Sequence, residues 1–470
     1  MSQLMRCPYC GLLQDEPEGV KACVRCGGEL AFEAEPPPNQ RSSYVKAEME
    51  LDQVKAPAGR NVDRHVLVTV RAPAQVPPEE AVSTEIGRSP LGFTAVLDVS
   101  GSMRGQKLAQ AKEAVRQALT RLHDGDVFAL VTFASEVDCV FEPVALDDRT
   151  RRTMRSVLEE IDAGGQTALC GGLELGLAKA AALKQETNLV MLLSDGQANV
   201  GETDVEAVGR RAYEARQRGI TVSTLGVGRD YNEALMVEIA SEGGGRFYHV
   251  MSADQIGAYM TGELGEVAAL AARDAKINLT LPSGATLVPL SAAYPSQQDG
   301  AEAIVSVGDI PCDTELEIPM RLTVPAQRSG SRLSVEGSLT YRSPAGNHLE
   351  TTLNRVTMRF VEGAAFSLRD GVVVPVAERV LGQMKAANVL GVSRAATKSA
   401  AEGARRARAG VDALREYALL LGQERAVEEA KDMHAAFAKM SAAPGLAKRM
   451  VANAYSVQRS TKKFDKKHDK

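Results

Sequence analysis

Short apolar runs alternate with amphipathic helical patterns between residues 91 and 270. Six of these runs have the length and the β-branched content of strands, and they read FTAVLDVS, VFALVTF, VDCVF, NLVMLLSD, ITVSTLGVG and RFYHV. Five helical patterns lie among them, at residues 107–122, 150–161, 171–184, 205–218 and 231–242. Such alternation is typical of a mostly parallel sheet covered by helices on both faces. We therefore predict a doubly wound α/β domain with a six-stranded sheet.

Oxygen-bearing side chains follow two of the predicted strands and also lie in one glycine-rich loop. Asp98 lies near the end of FTAVLDVS and is followed by Ser100 and Ser102, Asp195 ends MLLSD, and Thr167 lies in GGQTAL. In open α/β sheets, ligands bind outside the carboxyl ends of the strands, where Asp98 and Asp195 are expected. Mg²⁺ prefers oxygen ligands and keeps several waters, so a few protein oxygens hold it and leave a position open. These five residues form a candidate Mg²⁺ site, with Mn²⁺ or Ca²⁺ as alternative ions.

The motifs DVSGSM, GGQTAL and LLSDG, in this order, resemble the metal-ion-dependent adhesion site of the von Willebrand factor type A family. The flanking segments resemble inter-alpha-trypsin-inhibitor heavy chain-like proteins and their bacterial relatives. The resemblance implies a Rossmann-like domain at residues 91–270. In that site Ser100 and Ser102 would bind Mg²⁺ directly, Thr167 directly or through water, and Asp98 and Asp195 mostly through waters. The sixth position would take a carboxylate from a partner protein.

Four cysteines are grouped at the N-terminus as two CxxC pairs, formed by Cys7, Cys10, Cys23 and Cys26. Two such pairs complete a tetrahedral S₄ zinc site. A segment of this size needs metal binding to supply its folding energy, because its apolar core is too small. We predict a zinc ribbon at residues 1–33, with a redox CxxC pair as the alternative. Since all four thiolates would bind the metal, no position remains for a catalytic water.

The rest of the chain divides by composition. Residues 34–43 are Pro-rich and polar, which is typical of an extended linker. Strand patterns fill residues 44–90 and 271–362, and we interpret both segments as one β-sandwich into which the α/β domain is inserted. Helical periodicity returns at residues 366–460 and predicts a bundle of three or four helices. Residues 461–470 are basic and predicted to be disordered.

Charge and hydropathy limit the partners. The net charge is −5 and the pI is about 5.9, so no global field attracts nucleic acid or an acidic membrane. The N-terminus lacks a signal-peptide pattern, and no run of about 18 apolar residues occurs, so we predict a cytoplasmic location with no membrane association. Cys139, Cys170 and Cys312 are scattered, which suggests reduced thiols.

Together these features favour a Mg²⁺-dependent protein-interaction module, an adaptor or scaffold that binds an Asp or Glu of a partner protein. The alternatives are a nucleic-acid-binding or ligase-type adaptor acting through the zinc ribbon, and an accessory subunit of a MoxR-type AAA+ ATPase. The ribbon carries few basic residues, so nucleic acid is not expected. The sequence contains no GxSxG, GxxxxGK[ST] or HExxH motif, and we predict no enzymatic activity. His65 and His249 are expected to be packing or solvent-facing residues.

Overall fold

The computed structural model describes residues 2–6, 13–17, 43–81 and 90–459, with short gaps at residues 184, 186, 196–197, 229–230, 251–254, 257–258, 261, 263, 266–268, 292 and 443. The chain divides into two compact units, Met1–Ser42 and Ser43–Lys470. In the first unit, strands β1 (Ser2–Arg6) and β2 (Leu13–Pro17) pair antiparallel. The four cysteines of the zinc-ribbon prediction lie outside the described residues, as do residues 34–42 and 461–470.

One sheet of the second unit contains six strands. They are β6 (Leu91–Asp98), β7 (Val127–Phe133), β8 (Val137–Ala145), β9 (Thr187–Ser194), β10 (Ile220–Val227) and β11 (Gly244–Val250). Their order is β11-β10-β9-β6-β7-β8, and every neighbouring pair is parallel except the antiparallel pair β7 and β8. The chain adds β7 and β8 on one side of β6 and β9 to β11 on the other. The strand order therefore reverses between β6 and β9, where open α/β sheets bind their ligands.

Among the helices that the structure describes in full, five cover the two faces of this sheet. They are α1 (Gln106–Arg121), α2 (Asp148–Glu160), α3 (Leu169–Ala182), α4 (Val205–Gln217) and α5 (Glu233–Glu242), each within two residues of the sequence prediction. The core follows the alternation of β6, because Phe93 and Leu97 pack with α1 and α2 while Val96 packs with α3 to α5. The six-stranded α/β architecture predicted from the sequence is confirmed.

Two further sheets are built from the segments that flank the α/β region. The first has the order β13-β16-β5-β3 and contains β3 (Lys46–Leu51), β5 (Val62–Arg71), β13 (Thr286–Pro289) and β16 (Glu315–Val324). The second has the order β14-β15-β12-β17-β19-β4, with β18 beside β17; its strands are β4 (Lys55–Pro57), β12 (Leu270–Thr280), β14 (Ser296–Asp299), β15 (Glu302–Pro311), β17 (Arg332–Arg342), β18 (His348–Thr352) and β19 (Val356–Val361). Val66 and Val68 of the first sheet and Ile277 and Leu339 of the second belong to one hydrophobic cluster. The two flanking segments therefore share a core.

Four helices follow, α6 (Val374–Lys398), α7 (Ala400–Ala418), α8 (Gln423–Ala442) and α9 (Pro444–Arg459). Helix α6 packs on β5, and on that strand the Nδ1 atom of His65 lies 2.9 Å from Oδ2 of Asp52. The hydroxyl of Tyr417 donates to the same carboxylate oxygen at 3.1 Å, which connects α7 to the sheet. None of the described helices combines the length and the apolar content needed to span a bilayer.

The helical bundle also contacts the α/β region near α5 and β11. The ammonium of Lys448 donates to the backbone oxygen of Tyr231 and lies 4.1 Å from the centroid of the Tyr231 ring. The hydroxyl of Tyr455 donates to the backbone oxygen of Gly245 at 2.6 Å. Nearby, the hydroxyl of Tyr231 lies 2.8 Å from Nδ1 of His249. These contacts make His249 part of the packing between α9 and the sheet.

We expect the His249 imidazole to stay neutral well below neutral pH. Burial, together with the charges of Lys448 and Arg449, lowers the pKa of His249 from 6.5 to about 4. As the pH falls below 6.5, the unfolded chain therefore takes up a proton that the folded protein does not, and the folded state loses stability down to about pH 4. An NMR titration of the histidine Hε1 signals, assigned with His249→Gln, measures this directly. A midpoint near 6.5 for His249 would contradict the prediction.

Candidate metal centre

Two carboxylates lie side by side at the carboxyl ends of β6 and β9. Asp98 is the last residue of β6, and Asp195 directly follows β9. Both side chains are fully buried. These strands are the neighbours between which the strand order reverses, so the two acids occupy the ligand-binding position of the sheet.

Both oxygens of Asp98 accept hydrogen bonds from protein donors. The backbone N–H of Ser100 donates to Oδ1 at 2.9 Å, and the hydroxyl of Ser194 donates to Oδ2 at 2.5 Å. Burial raises the pKa of Asp98, the charge of Asp195 raises it further, and the hydrogen bonds from Ser100 and Ser194 oppose the rise. A cation bound nearby would favour the ionised form of Asp98 and so offset the cost of burying it.

The two serines lie on the loop that follows β6 and on a turn of 3-10 helix, Gly101–Met103. Ser100 is almost fully buried, whereas Ser102 is exposed at the mouth of the site. Their hydroxyl oxygens are 3.0 Å apart. Two adjacent hydroxyls at this spacing offer lone pairs to one ion.

The loop that carries Thr167 is bonded to the serine loop. The N–H of Gly164 donates to the backbone oxygen of Val99 at 2.8 Å, and the N–H of Gly101 donates to the backbone oxygen of Gly165 at 3.0 Å. Gly165 has a φ of 81°, and a Cβ atom there would lie 2.8 Å from Oγ of Ser135. Glycine is therefore required at this position, because of its positive φ and because this loop lies close to Ser135.

Asp195 differs from Asp98 in having one oxygen without a hydrogen-bond partner among the described residues. Its Oδ2 atom accepts from the ammonium of Lys107 at 2.9 Å, while its Oδ1 atom is buried and unpaired. A buried polar atom without a partner is costly, so the arrangement fits a cation or a cation-bound water at Oδ1.

The donor set fits a hard divalent ion. In the part of the chain that the structure describes, no three His, Cys, Asp or Glu side chains are grouped as a metal site. A cation here would be held by hydroxyls and by two carboxylates, which form an all-oxygen set. This chemistry suits Mg²⁺, which keeps several of its waters when protein-bound.

The structure brings the five predicted residues to this one edge of the sheet, and it adds three residues that the sequence analysis missed. Ser194 donates to Asp98, Lys107 pairs with Asp195, and Asn199 accepts the backbone N–H of Thr167 at 2.7 Å. Lys107 could have been found from the sequence, because a cation in the first turn of a helix is unfavourable with the helix dipole and is stabilised by an acidic partner. Ser194 and Asn199 could not have been found in this way, since their hydrogen-bond partners are distant in sequence.

Part of this chain matches the model of a known domain family. Residues 94–261 match the model of the von Willebrand factor type A domain. Uncharacterized protein YfbK of Escherichia coli (strain K12) is 26% identical over 255 residues, which are 53% of this chain and 44% of that protein. Inter-alpha-trypsin inhibitor heavy chain H3 of Homo sapiens is 27% identical over 228 residues, which are 46% of this chain and 25% of that protein. The matches thus span less than half of the length of either relative.

Among solved structures, von Willebrand factor type A from Catenulispora acidiphila superimposes with a TM-score of 0.59 at 19% sequence identity. The superposition covers 82% of this chain and 88% of that chain. At this identity the likeness shows the fold, and its extent includes elements on both sides of residues 94–261.

Proposed function

We propose, from the von Willebrand factor type A domain that residues 94–261 form, that this protein is a Mg²⁺-dependent interaction module that binds an acidic residue of a partner protein. Domains of this family are typically protein-interaction modules. The observation that carries the proposal is the buried, unpaired Oδ1 of Asp195, which follows β9 next to the strand that leads to Ser100 and Ser102. Mn²⁺ or Ca²⁺ would suit the same oxygen ligands.

In this proposal Ser100 and Ser102 hold the ion directly, and Thr167 holds it directly or through water. Asp98 and Asp195 act mainly through bound waters. The hydrogen bonds of Asp98 support this division, because both of its oxygens are already engaged by protein donors. When bound, the ion supplies an electrophilic position for the carboxylate of a partner. Ser102 is exposed, so this position would open toward solvent on the serine side.

We propose further that the protein acts as an adaptor or scaffold rather than as an enzyme. Both carboxylates have protein partners, since Asp195 pairs with Lys107 and Asp98 accepts two hydrogen bonds. Asp98 is thus not placed as a free general base, and in this proposal the unpaired Oδ1 of Asp195 contacts the ion or its bound water. The three described cysteines are free thiols, which supports the proposal of a cytoplasmic location.

The proposal predicts that a partner is captured through the metal centre. We expect a pull-down from cell extract, made with the full chain in Mg²⁺, to recover a protein that is lost with Asp98→Ala. Asp432→Ala is the matched control, because it removes an exposed carboxylate from α8. Mass spectrometry identifies the partner. If that protein is retained equally by Asp98→Ala and in EDTA, the proposed function is wrong.

EDTA alone is a weaker test, because it also strips the Zn²⁺ that we propose at Cys7, Cys10, Cys23 and Cys26. Four thiolates in two CxxC pairs support this second metal. Atomic emission of the protein before and after EDTA treatment measures the zinc content. If the partner is lost when zinc is removed but is retained by Asp98→Ala, the partner binds through the zinc ribbon and not through the proposed Mg²⁺ site.

A further inference from the structure

Lys107 lies between Asp195 of the metal centre and Gly228, the residue that follows β10. Its ammonium donates to Oδ2 of Asp195 at 2.9 Å, and its side chain is 22% exposed. A Cβ atom at Gly228 would lie 2.8 Å from Cε of Lys107, so the glycine makes room for the lysine stem. Gly228 also has a φ of 87°, which a side chain rarely adopts. The backbone beside the site therefore accommodates this lysine.

The position of Lys107 in its own helix is unfavourable for a positive charge. Lys107 is in the first turn of α1, where the helix dipole repels positive charge. Its long side chain also loses conformational freedom when it is held in one place. The ion pair with Asp195 offsets these costs. Because Lys107 does not stabilise the helix that carries it, its contact with Asp195 points to a role in the metal centre.

The charge balance of the site shows what that role is. Asp98 and Asp195 contribute −2 and Lys107 contributes +1, so the formal charge of the three side chains is −1. Bound Mg²⁺ would bring this formal charge to +1. Without Lys107 the formal charge would be −2 for the empty site and zero for the site with Mg²⁺ bound. A loaded site of charge +1 attracts a carboxylate more strongly than a neutral one.

We propose that Lys107 is a specificity-determining residue, which weakens the binding of the divalent ion and strengthens the binding of the acidic ligand to the loaded site. This role rests on the proposed function. Within that function, Lys107 sets the affinity for the ion against the affinity for the acidic ligand. It makes the loaded centre selective for an anionic partner, because the positive charge of the ion is not fully neutralised by the protein.

The first test measures Mg²⁺ affinity by isothermal titration calorimetry in the full chain. We expect Lys107→Met to bind Mg²⁺ about 10-fold more tightly than wild type, because a nearby positive charge is removed. Lys107→Arg keeps the charge, and Lys431→Met removes an exposed lysine of α8, so both should stay close to wild type. Lys107→Gln replaces Lys107→Met if the latter fails to fold in thermal unfolding.

The second test repeats these titrations with acetate as the carboxylate probe. Acetate that binds only to the Mg²⁺-loaded site raises the apparent Mg²⁺ affinity through linkage. Because acetate is expected to bind weakly, we use a concentration of about 100 mM. We expect this increase to be larger in wild type than in Lys107→Met. Complexes of acetate with Mg²⁺ in solution are the same in both titrations and cancel in the comparison.

Two results would overturn the proposal. If Lys107→Met binds Mg²⁺ as wild type does or more weakly, Lys107 only positions Asp195. If acetate raises the Mg²⁺ affinity equally in both proteins, Lys107 does not set the preference for an acid. A wild-type protein that binds no Mg²⁺ is a separate result, which overturns the proposed metal centre itself.

Discussion

Asp98→Ala is expected to lower the Mg²⁺ affinity by about 10- to 100-fold, the usual cost of removing a residue that orients metal ligands. The variant removes one negative charge and also releases the serine loop. At present that loop is fixed by the hydrogen bond from the N–H of Ser100 to Asp98. The variant should still fold, because the buried carboxylate is itself a cost, as the raised pKa of Asp98 shows. Calorimetric titration of Mg²⁺ measures the affinity, and thermal unfolding checks the fold.

Two companion variants separate charge from shape at this position. Asp98→Asn keeps an oxygen to accept from Ser100 but loses the charge, so its Mg²⁺ affinity should lie between those of wild type and Asp98→Ala. Asp432→Ala removes an exposed carboxylate from α8 and should leave the affinity unchanged. Equal Mg²⁺ binding by wild type and Asp98→Ala would mean that the carboxylate has no part in holding the ion.

Most of the candidate site could be predicted from the sequence because its parts are local. Asp98 ends one strand, Ser100 and Ser102 come just after it, and Asp195 directly follows another strand. Strand positions alone therefore bring these residues to one edge of the sheet. The electrostatic environment could not be predicted in the same way. The contact of Lys107 with Asp195 joins residues 88 positions apart, and it depends on the path of α1 beside β9 and β10.

The same holds for the fold, because its local elements could be predicted from the sequence and its long-range contacts could not. Helices have a strong local periodicity and buried parallel strands are continuous apolar runs, whereas β14 (Ser296–Asp299) is short, polar and exposed, so no pattern predicted it. The burial of β5 on both faces was also hidden in the sequence. Val66 and Val68 face the core between the two sheets, while Leu67 packs with the helical bundle more than 300 residues further along the chain. Only the tertiary arrangement determines that second contact.

The close packing of α3 on the sheet leads to a second large effect. Thr167 lies two residues before α3, so the position of this helix fixes the loop that carries it. Gly172 and Gly176 face the sheet one turn apart, and they allow the helix to approach β7 and β6 closely. A Cβ atom at Gly176 would lie 2.3 Å from Cγ2 of the fully buried Val96. Even alanine therefore does not fit without movement of the helix or the strand.

We expect Gly176→Ala to lower the free energy of unfolding by about 1–3 kcal/mol, the usual cost of overpacking a core. The gain in helix propensity from glycine to alanine, up to about 1 kcal/mol, only partly offsets this loss. Gly382→Ala in α6 is the matched control, because a Cβ atom there meets nothing within 4 Å. That variant should instead be more stable than wild type, by about 0.5–1 kcal/mol. Urea unfolding measures both values, and a Gly176→Ala variant that is as stable as wild type, or more stable, would show that α3 is not held against β6 as closely as described.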